Sequence, residues 1–93
     1  MGDDFWVFFG LLAGLATYPA FATSYAGTCT TAPKDQWMSE ADAQAKIEEA
    51  GYTVAKIKRT RTGNCYEAYV TDKSGKRMEL FLDPTNANII HSQ

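Results

Sequence analysis

Residues 65–83 read Cys65-Tyr66-Glu67-Ala68-Tyr69-Val70-Thr71-Asp72-Lys73-Ser74-Gly75-Lys76-Arg77-Met78-Glu79-Leu80-Phe81-Leu82-Asp83. Two alternating runs flank a short polar stretch, which is the pattern of a β-hairpin. Successive side chains of a strand point to opposite faces. In the first run, 65–72, Tyr66, Ala68 and Val70 therefore share one side, and Cys65, Glu67, Tyr69 and Thr71 the other. In the second, 77–83, Met78, Leu80 and Leu82 point inward, while Arg77, Glu79 and Phe81 point outward. Lys73-Ser74-Gly75-Lys76 supplies the connecting loop.

Upstream of the hairpin, residues 52–61 are β-rich in part and Thr62-Gly63-Asn64 turns the chain. Before them, residues 40–50 are strong helix formers with one β-branched residue, Ile47. Ser39 and Asp42 form a Ser-x-x-Asp capping box, with Met38 placed as a staple against Ala43. Ala43, Ile47 and Ala50 follow the i, i+4, i+7 spacing of one buried face. Gly51 suits the position that closes a helix, after which Tyr52 folds back on Ile47. Downstream, Asp83-Pro84-Thr85-Asn86-Ala87-Asn88 is turn chemistry and Ile89-Ile90 a short last strand. The expectation is an α+β fold: one N-terminal helix packed on a three- to four-stranded antiparallel meander. One sheet face meets the helix and the other stays partly open.

These residues also resemble a family. Trp37, the capped helix, Gly51-Tyr52-x-Val54-x-x-Ile57, Cys65-Tyr66-Glu67-x-Tyr69 and Asp72-x-x-Gly75-x-x-x-Glu79-x-x-x-Asp83-Pro84 are similar to a PepSY-type domain. The match runs from about residue 37 to residue 90, and its most specific part is the pair of hairpin signatures. The resemblance implies a non-catalytic exported domain. Such domains occur alone in the periplasm, as propeptides of secreted peptidases, and attached to membrane redox proteins. It also implies a protein-regulating or inhibitory role and names no partner.

A hydrophobic leader precedes this body. Residues 5–22 carry no charge, and Asp3 and Asp4 stand before them. The run has the apolar stretch of a signal peptide, the helix breaker Pro19, and small residues at Ala20 and Ala22, but it lacks a basic start. It also reaches the lower end of a membrane-spanning length, so an anchor is the alternative. The sequence divides as 1–22 signal peptide or anchor, 23–36 linker tied by a disulfide, and 37–93 folded domain. The whole chain has 9 Lys and Arg against 11 Asp and Glu, a net charge of -2. Without Asp3 and Asp4 the acids fall to 11 - 2 = 9, so the body is neutral. That is a poor balance for a nucleic-acid binder.

Cys29 and Cys65, with a sequence separation of 36, fit no redox pair, haem motif or zinc set. A disulfide is the structural reading, and closing such a loop contributes on the order of 3 kcal/mol by the chain-entropy model. No cofactor and no metal site are expected.

Three further groups carry candidate function. Tyr69 and Phe81, flanked by Glu67, Glu79 and Arg77, form an aromatic patch on the face away from the helix. If open, the patch suits a protein partner or a second copy of the chain. Alternatively, the N-terminal segment and a Cys29–Cys65 bridge cover it. Lys56, Lys58, Arg59 and Arg61 make a basic edge, either a solvated device against strand pairing or a contact for an acidic protein or anionic headgroups. Glu67 and Glu79 invite a carboxylate-pair enzyme reading, but no nucleophile and base accompany them. The function expected is an exported protein-binding or regulatory module. Its partner is another envelope protein, a membrane complex or a second copy, and residues 5–22 offer a membrane contact. A small membrane-anchored accessory subunit and a peptidase inhibitor are the alternatives. The expected location is the periplasm or the secreted fraction of a bacterial envelope.

Overall fold

In a computed structural model of the chain, residues 25–93 are described. The leader, 1–22, and the start of the linker lie outside the described residues. The element order is a 3-10 turn at Lys34–Gln36, helix α1 at Glu40–Glu49, and strands β1 (Thr53–Arg59), β2 (Tyr66–Thr71), β3 (Arg77–Leu82) and β4 (Ile89–Ser92). The strands form one sheet in the order β1-β2-β3-β4, each neighbour antiparallel. The expected α+β meander is therefore observed, with four strands.

Local chemistry sets each boundary. At the start of α1 the Ser39 hydroxyl accepts the Asp42 N–H at 3.0 Å, satisfying a donor that the first helical turn leaves open. At its end Gly51 takes φ 106, a left-handed conformation that costs glycine little. The Gly51 N–H then bonds Glu48 O at 3.0 Å and the Tyr52 N–H bonds Ile47 O at 3.3 Å, a Schellman closure. This is the fold-back that the sequence predicts for Tyr52. The buried face of the helix is narrower than predicted: Ala43 and Ile47 are buried, whereas Ala50 caps the helix and is exposed.

The β2–β3 connection is built on Asp72. Its Oδ1 accepts the Ser74 N–H and Lys76 N–H, each at 2.9 Å, and the Ser74 hydroxyl at 2.7 Å. These bonds, led by the Ser74 hydroxyl, hold the Asp72 carboxyl below its ordinary value. Asp83 repeats the device before β4, accepting the Thr85 N–H at 2.8 Å and the Thr85 hydroxyl at 2.7 Å.

The main core lies between α1 and the sheet. Ala43 and Ile47 of the helix meet Tyr66, Ala68, Val70, Leu80 and Leu82, with Trp37, Met38, Tyr52, Val54, Ile57 and Met78 packed around them. Val54 and Ile57 are an odd number of residues apart, so an unbroken strand would send them to opposite faces. A register shift between Val54 and Lys56 places Ala55 as a bulge and returns Ile57 to the helix side, opposite Ala68. The Tyr66 hydroxyl donates to Met38 O at 2.6 Å, pinning the chain at the helix start to the middle of the sheet. The Met38 N–H bonds Pro84 O at 2.9 Å, and the Trp37 indole stands edge-on to Tyr66 with centroids 5.7 Å apart.

The cap at Ser39 gives a direct test of this account. Ser39→Ala should lower folding stability by about 1 kcal/mol, since one helical N–H loses its acceptor. Urea denaturation followed by far-UV circular dichroism measures it, and Ser39→Thr should retain most of the difference.

Candidate functional site

The sheet face away from α1 carries most of the chemistry-bearing residues. Pairing sets its rows. Glu67 lies opposite Phe81, and Tyr69 opposite Glu79. Phe81 also faces His91 on β4. The bulge at Ala55 turns Lys56 and Lys58 to the same side, where they stand opposite Tyr69 and Glu67. The predicted alternation of the hairpin is thus observed.

The openness of this face is corrected. Tyr69 and Glu79 are each 2% exposed, Glu67 is 5% exposed and Phe81 has no exposure. The cover at Phe81 is the one the sequence offers as the alternative. The Cys29–Cys65 disulfide ties the chain before the helix to the start of β2, and its two cysteines form a second small core with Phe81, against which Tyr25 packs. Tyr25 stacks on His91 with centroids 4.5 Å apart and tilts against Phe81 at 5.7 Å. The Cys29 N–H bonds Gly63 O at 2.8 Å, and Asn64 Nδ2 donates to Thr30 O at 3.4 Å. Gly63 has φ 82, and a methyl group there would run into the Gly27 carbonyl. The turn at 62–64 is thus shaped to receive the incoming segment. Of the five residues expected on the patch, only Arg77 is exposed.

Beside the aromatic cluster lie the two acids. They are diagonal neighbours rather than directly opposed, as their pairings with Phe81 and Tyr69 require. Strand β4 reaches Glu79: its N–H bonds Gln93 O at 2.8 Å, and Gln93 Nε2 donates to its Oε1 at 3.4 Å. Burial is the main cause holding the Glu79 carboxyl above its ordinary range, followed by hydrogen bonding with Glu67 and the Glu67 charge. The Gln93 bond and the Lys58 charge oppose this shift. The Tyr69 phenol is pushed up to about 12, first by burial and then by the charges of Glu67 and Glu79. Lys58 Nζ sits 5.9 Å from the Tyr69 ring centroid. Both carboxyls lie under cover, Glu67 5% and Glu79 2% exposed.

The basic residues divide between exposure and shelter. Lys56, Arg59 and Arg61 are exposed, and Lys58 is half-buried. Among the described residues no group of three or more His, Cys, Asp or Glu side chains is arranged to hold a metal. Nor is any helix among them long and apolar enough to cross a membrane. Tyr25, His91 and Gln93 are the contributors that sequence reading misses. Tyr25 follows closely on the apolar run at 5–22, and β4, which brings His91 and the adjoining Gln93 onto this face, has only four residues to announce it. The bulge had a usable signal in the odd spacing of Val54 and Ile57.

Comparison with known families returns a match. The family model described as peptidase propeptide and YPEB domain matches residues 7–93. It covers the resemblance seen from residue 37 to residue 90 and extends past both of its ends. Neither the curated proteins nor the solved structures gave a match.

The buried acid has a definite pH signature. A carboxyl raised on folding adds stability that is complete below its unfolded value of 4.5 and is lost as pH rises through its folded value. Glu79→Gln should remove that loss, so the variant should gain on the parent chain in urea midpoints as pH rises from 4.5. Reduction of Cys29–Cys65 should lower stability by about 3 kcal/mol and raise Tyr25 and Phe81 exposure, read by denaturation and by fluorescence with and without reductant.

Proposed function

Since the chain belongs to the PepSY family of peptidase propeptide and YPEB domains, we propose that it is a non-catalytic exported module that binds and regulates another protein of the cell envelope. The observation that carries this reading is the family match over residues 7–93. The chemistry of the described residues supports it. The carboxyls of Glu67 and Glu79, which invite an enzyme reading, lie under cover beside Tyr69, and Gln93 donates to Glu79. A disulfide in a domain of this size is typical of exported chains, because oxidising compartments preserve such bonds. The location that follows is the periplasm or the secreted fraction, with residues 5–22 acting as signal or anchor.

A second reading rests on the word propeptide in the family description: the module slows a peptidase. The two readings share a binding step and differ in its effect. Neither reading draws on the Tyr69–Phe81 patch, whose aromatic rings are buried.

Both are tested with the full chain expressed from its own leader. Cross-linking in intact cells, followed by mass spectrometry, should return a defined envelope protein. Addition of the purified chain to the peptidases secreted by the same cells should slow one of them saturably if the inhibitory reading is right. A defined cross-link without slowing supports a regulator or accessory subunit. Cross-linking that returns only the chain itself, with no peptidase slowed, overturns the proposal in favour of a self-associating domain.

A further inference from the structure

The two edges of the sheet differ. Strand β4 has four residues, whereas β1, Thr53–Arg59, has seven. Strand β1 pairs with β2 on one side, and among the described residues nothing pairs with its other side. A row of backbone N–H and C=O groups on such an edge is a template for an added strand.

The side chains along β1 specify what could be added. The bulge at Ala55 sorts them into two rows. Val54 and Ile57, both half-buried, lie on the helix side, with exposed Arg59 at the end of that row. Exposed Lys56 and half-buried Lys58 lie on the other side. Arg61 follows just past the strand and is exposed. Directly opposed residues of neighbouring strands interact most strongly, opposite charges favourably and like charges unfavourably. A second copy of β1 would set lysines and arginines against their own kind. An all-apolar strand would leave exposed Lys56 without a complement. A strand with acids in one row and apolar residues in the other satisfies both rows.

We infer that the β1 edge is a docking surface for an extended acidic segment of a partner protein, added antiparallel or parallel to Thr53–Arg59. Glutamates or aspartates at every second position meet Lys56 and Lys58, and the intervening apolar side chains meet Val54 and Ile57. A further acid near Arg59 and Arg61 fixes the register. The inference rests on the protein-binding reading above and adds the chemistry and shape of what is bound. The basic residues then have two effects: they discourage self-pairing and they select the partner.

The test uses the full chain and a fluorescent, end-blocked peptide of about nine residues alternating valine with glutamate, long enough to match a strand. Fluorescence polarisation should show saturable binding that weakens as salt rises, since exposed charge contacts are screened. Backbone amide shifts should concentrate on Thr53–Arg59. A peptide of the same composition in scrambled order should bind at least about tenfold more weakly, and the alternating valine–lysine peptide should not bind. Lys56→Glu should weaken the glutamate peptide by about tenfold and let the lysine peptide bind. Lys56→Gln, with unchanged circular dichroism, guards against misfolding as the cause and should give an intermediate loss.

Equal binding of the scrambled peptide would overturn the inference, as would amide shifts confined to β4. Binding only to vesicles of phosphatidylglycerol would overturn it in favour of a membrane surface. If the peptide fails while the chain still cross-links to an envelope protein or slows a peptidase, the edge is not the docking surface and the module reading stands. Failure of all of these removes both.

Discussion

The covalent bond between Cys29 and Cys65 is the constraint from which the arrangement of the second sheet face follows. A four-stranded meander with one helix has one face to spare, and in a chain this short that face would ordinarily meet water. Here β2 is buried along nearly its whole length, and the pattern includes the side chains of both faces. The helix accounts for one side. The disulfide brings the segment before the helix across the other, where Tyr25 and the bridge itself seal Phe81. A bond made at the start of β2 thereby turns a two-layer domain into one with a partial third layer.

The acids on this face occupy an unusual position. Glu67 and Glu79 sit on a surface that their sequence pattern marks as solvent-facing, yet the fold removes them from solvent. Their cost is limited because burial and Glu67 hold the Glu79 carboxyl toward its neutral form and because Gln93, Lys58 and Tyr69 lie beside the pair. Lys58, whose charge offsets Glu79, reaches this face by way of a single irregularity, the bulge at Ala55. Without it Lys56 and Lys58 would not share a face with Tyr69 and Glu67, and Ile57 would leave the core. One extra residue serves both layers.

Much of the architecture was legible because it rests on local chemistry. Ser39 with Asp42, Gly51 with Tyr52, and Asp72 with Ser74 each define a boundary through bonds within a few residues of one another. The alternation of residues 65–83 likewise sorted Tyr66, Ala68 and Val70 from Glu67 and Tyr69. What the sequence could not fix was which of two covers, water or chain, lies over the second face. That depends on a contact across 36 positions and on Tyr25 meeting His91, and neither leaves a periodic trace. Polar residues at alternate positions read as exposed because they usually are. The candidate patch was therefore sited on the correct face with its cover left as one of two readings.

The nearest-neighbour order of the strands has a kinetic consequence. Every ladder in the sheet joins segments adjacent along the chain, and such local pairings close small loops and form early. Cys29 is not needed for any of them. The sheet can assemble while both thiols are still reduced, and the turn that presents Cys65 and Gly63 then receives Cys29. With two cysteines there is one intramolecular pairing and no scrambled isomer to escape from. Strand order thus lets oxidation of this pair follow sheet formation, with no ladder waiting on the bond.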